Sequence, residues 1–355
     1  MDQEKDRSEP LLRSRELRLI RDPSSFEFTS GHLDSLPSLP HRKVDRSRAC
    51  TPSTSSSSEH SAGVEKSTRA SSLQKSGNLA PFVTAQTWTI TDGSTGALLW
   101  GSMENERREI ASLTKIMTCH LSLRLLHADS SLSLETIIPV SYAAASMIGT
   151  SARLKEGDEL HLLDVLYGLM LPSGNDAAYC LAEFFGKYIA SKAQEPVVSA
   201  RAHVALFVRE MNKTAKALGL ESTNYANPHG LPHVKNRSTA RDVGLLASIA
   251  LKDPLFAEIV NTQLYSCYVL QSGTQAPYRK MKWCNTNRLL EKGWEGVKTG
   301  ITMTAGPCLC ASARRKETLL VVTVLGSKSM DRRWIEVPKL GKWAFARLGI
   351  ECSPT

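Results

Sequence analysis

Three short segments with strand signals follow one another closely in the last third of the chain, and they most constrain the fold. The segments are EGVKTG (295–300), GPCLCASA (306–313) and ETLLVVTVLG (317–326), with the polar turn signal RRKE between the last two. Runs of this length that are rich in β-branched and small apolar residues, bounded by turn residues, are typical of strands. Consecutive strands with short connections predict one mainly antiparallel sheet.

The segments before these strands predict a hairpin followed by several helices. TAQTWTITDGSTGALLWG (84–101) alternates polar and apolar residues around the turn DGSTG, which is a hairpin signal. We expect this hairpin to join the sheet and the helices to cover both of its faces, an α+β fold. From apolar spacing and breakers, helices are predicted at 108–125, 159–186 with a break at Pro172–Gly174, 197–218 with Gly219 at its end, and 331–348 with Pro338 as a candidate interruption.

The first 78 residues differ in composition from the remaining residues. They are rich in Ser, Arg, Asp and Glu, include the run CTPSTSSSSEHS, and contain no apolar segment long enough to form a core. Such a composition predicts a disordered tail, so the folded domain is expected at 79–355. No secretory signal and no apolar run of membrane-spanning length is visible, which favours a cytoplasmic protein over a secreted one.

Charge and cysteine usage disfavour two classes of function. The formal net charge is +9, but both signs are interspersed and no basic block with aromatic residues occurs, which argues against nucleic-acid binding and fits an anionic small substrate. The eight cysteines are scattered and include no C-x-x-C pair, so free thiols in a reducing compartment are expected, with no metal and no cofactor. Cys308 and Cys310 are two apart in a predicted strand and should share its buried face.

Three short motifs carry chemistry. Ser112-x-x-Lys115 opens the first predicted helix, Ser173–Asn175 reads S-G-N between two helices, and Lys298–Gly300 reads K-T-G at the end of a strand. A spacing of three residues puts a serine and a lysine on one helical face, where a neutral lysine can activate the hydroxyl. Taken singly, the motifs also fit a capping serine, a turn and a solvated lysine. Together and in this order they form the serine/lysine acyl-transfer signature.

The residues around the motifs extend the match. REIASLTKIMT, LMLPSGNDAA, NPHGLP followed by STARD, and GVKTGITMTAGPCLCASA resemble the low-molecular-mass penicillin-binding proteins, the serine D-alanyl-D-alanine carboxypeptidases, over about residues 84–348. The resemblance implies the serine β-lactamase/transpeptidase-like fold, a five-stranded antiparallel sheet with a helical subdomain. It also implies a peptide ending in D-Ala-D-Ala as substrate and β-lactams as covalent inhibitors.

The same resemblance implies the roles of the first two motifs. Ser112 is expected as the nucleophile and Lys115 as the base that takes its proton. Burial and a nearby ammonium group would keep Lys115 neutral for part of the time. Ser173 is expected to lie between the two motif lysines and relay the proton to the leaving amine. Asn175 is expected to hold the substrate amide.

The third motif is expected to bind the end of the substrate. Lys298 and Thr299 would bind its terminal carboxylate, and Gly300 would let the strand edge approach the substrate backbone. The backbone N–H groups of Ser112 and Ile301 would form the oxyanion hole.

Two other functions stay open from the sequence, a β-lactamase and a catalytically idle binding domain. A class A β-lactamase adds an E-x-x-x-N carboxylate, and the nearest match here, Glu221 to Asn224, is one residue short. His229 in NPHG is interpreted as a structural turn residue, because a lysine already serves as the base.

Overall fold

The structure is a computed structural model that describes residues 79–194, 196, 199–274 and 276–350. The predicted tail at 1–78 lies outside the described residues. The strands are, in chain order, β1 (Thr87–Asp92), β2 (Leu98–Ser102), β3 (Ile137–Pro139), β4 (Asp158–His161), β5 (Leu264–Gln271), β6 (Pro277–Cys284), β7 (Gly296–Thr302), β8 (Gly306–Arg315) and β9 (Thr318–Leu325). The α-helices are α1 (Thr114–Ala128), α2 (Tyr142–Ala145), α3 (Leu162–Met170), α4 (Asn175–Ala193), α5 (Ala200–Ala217), α6 (Ala240–Ala250), α7 (Pro254–Asn261) and α8 (Arg332–Arg347).

The main sheet has five antiparallel strands in the order β2-β1-β9-β8-β7. The N-terminal hairpin therefore joins the three C-terminal strands by pairing β1 with β9, as predicted. The strand that carries the K-T-G motif, β7, is at one edge of the sheet. This position leaves one side of β7 free of a strand partner within the sheet, so its backbone faces the helical part of the molecule.

The two faces of the main sheet bury different residues, because successive side chains of a strand point to opposite faces. Leu309 and Val322 pack on one face with Val337 and Leu340 of α8. Cys308 and Cys310 belong to the other core, which contains the central helix α1 and most of the remaining helices. Both thiols are buried and free, as the predicted alternation requires.

A second sheet was missed by the sequence analysis. Strands β3, β4, β5 and β6 form it, in that order and with antiparallel pairs. β4 occupies 158–161, where a helix was predicted from residue 159, so this part of the prediction is wrong. Leu160 of β4 is fully buried while Glu159 and His161 are half-buried, and this alternation of exposure is typical of a short strand.

The other predicted helices agree with the structure apart from their ends, whereas α2, α6 and α7 were not predicted. α5 ends before Gly219, whose φ of +74° is easily adopted by glycine, and α8 continues through Pro338 without interruption. The helix predicted at 108–125 begins later. Residues Ala111–Leu113 are assigned to one turn of 3₁₀-helix, and α1 follows. A continuous α-helix cannot run through from residue 108, because Ala111 has a φ of +48°, outside the right-handed α region.

The fold class predicted from the sequence is confirmed: helices cover both faces of a five-stranded antiparallel sheet, in an α+β arrangement. Most of α1 is buried around its whole circumference, from Thr114 to Leu123, so this helix runs through the core. The 3₁₀ turn with Ser112 therefore lies at the point where the central helix meets β7. Among the described helices, none is long and apolar enough to cross a membrane.

Candidate active site

Ser112 and Lys115 lie side by side where α1 begins. The Nζ of Lys115 is 3.1 Å from the Oγ of Ser112. Ser112 belongs to the 3₁₀ turn and Lys115 to the first turn of α1, and residues three apart in such a turn project to the same side. The predicted pair is therefore within hydrogen-bond distance, although Ser112 precedes α1 instead of beginning it.

Lys115 is completely buried, with 0% of its surface exposed. Besides Ser112, its Nζ donates hydrogen bonds of 2.7 Å to the Oδ1 of Asn175 and to the backbone carbonyl of His229. Burial lowers its pKa well below the ordinary lysine value, the positive charge of Lys298 lowers it further, and the carboxylate of Asp176 opposes both. A neutral amine has two N–H groups and one lone pair. The two N–H groups can donate to Asn175 and to the carbonyl of His229, so the lone pair remains to accept the hydrogen bond of the Ser112 hydroxyl.

The S-G-N motif forms the turn between α3 and α4. Ser173 has a φ of +65°, and its buried Oγ has no hydrogen-bond partner among the residues that the structure describes. The Oγ1 of Thr150 donates a 2.6 Å hydrogen bond to the Ser173 carbonyl and so fixes the turn. Asn175 is already engaged at both ends of its amide: Oδ1 accepts from Lys115, and Nδ2 donates to the carbonyl of Ile148. Its visible contacts thus position Lys115, which the sequence analysis did not predict.

The K-T-G motif lies on β7 at the edge of the main sheet. Lys298 is 1% exposed, and burial together with the nearby Arg333 lowers its pKa to about 7. Its Nζ donates one hydrogen bond, of 3.3 Å, to the carbonyl of Thr299. The Oγ1 of Thr299 lies 2.8 Å from the Oγ1 of Thr286. The lysine thus has few acceptors around it.

A glycine is needed at position 300 because the segment that carries Ser112 packs against it. A Cβ added at this position would lie 3.0 Å from the carbonyl oxygen of Ile110 and 3.1 Å from the backbone nitrogen of Ser112. The sequence analysis explained the glycine by the approach of the substrate backbone. The structure gives a reason inside the protein, since a side chain here would press on the turn that carries Ser112.

These residues surround one cavity of about 470 Å³. Neither Lys115 nor Lys298 contributes to its lining, so both lysines lie behind the surface that the cavity exposes. The lining residues are Ser112, Gly149, Thr150, Ser173, Asn175, Gly230, Leu231, Thr286, Thr299, Gly300, Ile301, Thr302, Met330 and Arg333. The cavity thus exposes one charged side chain, that of Arg333, and no carboxylate.

Arg333 was not found from the sequence. It lies in α8, its Nη1 donates hydrogen bonds of 3.0 and 3.1 Å to the carbonyls of Gly300 and Cys308, and its guanidinium lies over the ring of Trp334. It connects α8 to the two strands beside the motif. No local pattern distinguishes it from the basic residues around it, because its position depends on how α8 packs on the sheet.

His229 has the structural role that was predicted, with one addition. Its Nδ1 accepts a 3.2 Å hydrogen bond from the backbone N–H of Leu231, and burial and Lys115 lower its pKa to about 3. In addition, the backbone carbonyl oxygen of His229 accepts a hydrogen bond from Lys115, which the sequence analysis did not predict. A backbone carbonyl has no signature in the sequence, so this contact could not be predicted.

The residues considered for other sites lie apart from the cavity. Glu221 and Asn224, the nearest match to a β-lactamase E-x-x-x-N, do not line it. In the part of the chain that the structure describes, no group of three or more His, Cys, Asp or Glu side chains could hold a metal ion.

Comparison with known proteins identifies relatives of this chain. Residues 74–329 match the sequence profile of the D-alanyl-D-alanine carboxypeptidase family. A D-alanyl-D-alanine carboxypeptidase of Bacillus subtilis is 34% identical over 265 residues, which are 74% of this chain and 62% of that protein's length. One from a Streptomyces strain is 35% identical over 274 residues, covering 75% and 89% of the two chains.

A solved structure agrees with the sequence relatives. The crystal structure of the Streptomyces DD-transpeptidase superimposes with a TM-score of 0.68 at 33% identity, over 76% of this chain and 99% of that one. The matched residues include all three motifs, and a profile match to residues 74–329 covers most of the chain. The chain therefore belongs to the D-alanyl-D-alanine carboxypeptidase family.

Proposed function

We propose that this chain is a serine-type D-Ala-D-Ala carboxypeptidase, which cleaves the terminal D-alanine from a peptide through an acyl-enzyme on Ser112. The observation that carries the proposal is the contact of 3.1 Å between the Ser112 hydroxyl and a buried lysine whose pKa is lowered. Residues 79–355 form the proposed catalytic domain. The family match and the relatives' printed names support the choice of substrate.

Acylation begins with a proton transfer between the two paired side chains. Neutral Lys115 takes the proton of the Ser112 hydroxyl as Oγ attacks the carbonyl carbon of the penultimate D-alanine. The backbone N–H groups of Ser112 and Ile301 stabilise the negative charge that develops on the carbonyl oxygen. The peptide bond then breaks, and its nitrogen needs a proton to leave as the amine of free D-alanine.

Ser173 is the proposed relay for that proton. Its Oγ is buried at the cavity and has no partner within the protein, so its hydroxyl is available to a bound substrate. It can pass a proton to the leaving nitrogen and take one back from the ammonium of Lys115. Water then attacks the ester, with Lys115 again as the base, and releases the shortened peptide.

The terminal carboxylate of the substrate binds beside β7. Thr299 and Arg333 supply a hydroxyl and a positive charge in the cavity lining, and the ammonium of Lys298 supplies a second positive charge from behind that lining. A carboxylate beside Lys298 favours its protonated form, which opposes the effect of burial on its pKa. Asn175 holds Lys115 in place and is expected to contact the substrate amide as well.

A β-lactam is expected to acylate the same serine and leave slowly. Hydrolysis of such an ester needs a base that activates water beside the bulky acyl group. No Asp or Glu lines the cavity, so the acyl-enzyme has no carboxylate for this step. This observation favours the carboxypeptidase over the β-lactamase.

The test combines covalent labelling with product release. A fluorescent penicillin should label the wild type at Ser112, as mapped by mass spectrometry, and a peptide ending in D-Ala-D-Ala should release D-alanine. Ser112→Ala should abolish both and change the free energy of unfolding by only about 1 kcal/mol, since one partly exposed hydrogen bond is lost. Ser146→Ala, at an exposed serine outside the cavity, is the matched control. Labelling that persists in Ser112→Ala would reject the proposed nucleophile.

A further inference from the structure

The S-G-N turn is supported by a neighbouring segment, residues 149–154. The backbone N–H of Asn175 donates a 2.8 Å hydrogen bond to the carbonyl of Thr150, whose hydroxyl in turn donates to Ser173. The carbonyl of Ala152 accepts from the indole of Trp283. This supporting segment has two residues at positive φ, Gly149 and Arg153, so it does not form regular structure that could hold its own shape.

One carboxylate holds the supporting segment. The Oδ1 of Asp176 accepts a 2.8 Å hydrogen bond from the N–H of Ala152, and its Oδ2 accepts from the Ser151 hydroxyl at 2.6 Å and the N–H of Leu154 at 3.2 Å. Asp176 is 1% exposed and lies in the first turn of α4, directly after Asn175. Its charge is therefore fixed beside the residues that contact Ser112 and Lys115.

The same carboxylate acts on the base electrostatically. The groups that influence the charge of Lys115 come from several elements. Lys298 on β7 repels it, Asp176 on α4 attracts it, and His229 carries a pKa lowered to about 3. Arg333 on α8 acts on Lys298, and the Cys180 thiol on α4 stays protonated because burial raises its pKa.

We propose that Asp176 is a positioning residue for the reaction at Ser112: it fixes residues 149–154 against the S-G-N turn and supplies the negative charge that faces the buried Lys115. The proposal rests on the proposed function, since it names the reaction in which the lysine acts. Asp176 does not touch the cavity, so its effect passes through Ser173, Asn175 and Lys115.

The decisive measurement is the pH profile of acylation by a chromogenic or fluorescent β-lactam. Asp176→Asn removes the negative charge, which lowers the pKa of Lys115, so the acid limb of the profile should move to lower pH by about half a unit or more. The maximal rate should fall at least about tenfold, because an amide N–H would face the N–H of Leu154 and displace the supporting segment.

Two variants separate the effect of the negative charge of Asp176 from its effect on the position of residues 149–154. Ser151→Ala keeps the charge and removes two hydrogen bonds, the one that Ser151 donates to Asp176 and the one that it accepts from the N–H of Arg153. The maximal rate should therefore fall while the midpoint of the profile stays unchanged. Asp176→Glu keeps the charge and should retain the wild-type midpoint. Asp164→Asn, at a buried carboxylate that accepts from Tyr265 and does not line the cavity, is the matched control and should change neither quantity.

Each outcome decides the proposal. An unchanged midpoint in a folded Asp176→Asn protein, with only a lower melting temperature, would overturn it and leave a structural role. If Asp176→Asn does not fold, an unchanged acylation rate in Ser151→Ala overturns the positioning role. Failure of the proposed function gives a different result, because the wild type would then not be acylated at Ser112 at all.

Discussion

Gly230 should be among the residues where the smallest substitution has the largest effect on acylation. It lies in the segment 227–231, whose His229 carbonyl accepts from Lys115. Its φ is +88°, and a Cβ here would lie 2.0 Å from the carbonyl oxygen and 2.4 Å from the carbonyl carbon of Ala111. The next residue, Ser112, has its backbone nitrogen 3.0 Å from the same point.

Gly230→Ala would therefore displace the proposed catalytic residues, Ser112 and Lys115. Ordinary van der Waals contact begins at 3.4 Å, so the distance of 2.0 Å must grow by more than 1 Å. Both neighbours are backbone, which cannot rotate away, so either the turn with Ser112 or the segment with His229 must shift. A misplacement of about 1 Å in a catalytic group costs roughly a hundredfold in rate, and we expect a loss of acylation of this size.

A second glycine provides the control. Gly219, at the end of α5, has a φ of +74° but nothing within 4 Å of the added Cβ. Gly219→Ala shares the backbone strain, about 1 kcal/mol, without the clash, so its melting temperature should fall by about 2–4 °C and its acylation should stay unchanged. Stopped-flow acylation and thermal unfolding of both variants distinguish strain from displacement. A folded Gly230→Ala protein that acylates within about threefold of the wild type would refute the reasoning.

Two further predictions concern charge and acyl-enzyme lifetime. Lys298→Ala should shift the acid limb of the acylation profile to higher pH, because the positive charge that lowers the pKa of Lys115 is lost. The control is Lys328→Ala, at an exposed lysine. An identical pH profile in the two variants would mean that Lys298 acts on binding alone. Penicillin should stay on Ser112 for minutes or longer while a D-Ala-D-Ala peptide turns over, as measured by D-alanine release beside nitrocefin hydrolysis; sustained nitrocefin turnover without D-alanine release would indicate a β-lactamase.

The sequence predicted the main sheet because its strands carry their own signals. β8 and β9 are long, apolar and bounded by turns, and the hairpin of β1 and β2 has a polar turn between alternating residues. The three motifs could be recognised for a similar reason. Each consists of adjacent or nearly adjacent residues, so the local sequence alone identifies it.

The second sheet lacked such signals in part. β3 and β4 have three and four residues, too few for a period of two to stand out, and β5, which pairs with β4, lies more than 100 residues further along the chain. β6 did offer a signal, since Lys280 and Lys282 alternate with the buried Met281 and Trp283. Applying the period-two criterion to 277–284 would have predicted this strand.

The contacts that tune the site were beyond sequence reasoning for a physical reason. Arg333, the His229 carbonyl and Asp176 act through tertiary packing, and their residue types are common in any chain. The sequence located Ser112 and Lys115 but not the degree of burial that controls the charge of the lysine. A pKa depends on the surroundings of a group in three dimensions, which a one-dimensional pattern contains only in part.

Two buried polar atoms without a partner among the described residues lie at this cavity, the Oγ of Ser173 and the Nε of Arg333. Behind its lining, Lys298 has a single hydrogen bond of 3.3 Å. Each such group lowers the stability of the folded chain by about 1–3 kcal/mol. Two are donors with positive charge and one is a hydroxyl, so a ligand with a carboxylate and an amide nitrogen satisfies all three at once. Binding of such a ligand would restore the stability that these groups cost the folded protein, and this agrees with the proposed substrate, the carboxyl end of a peptide.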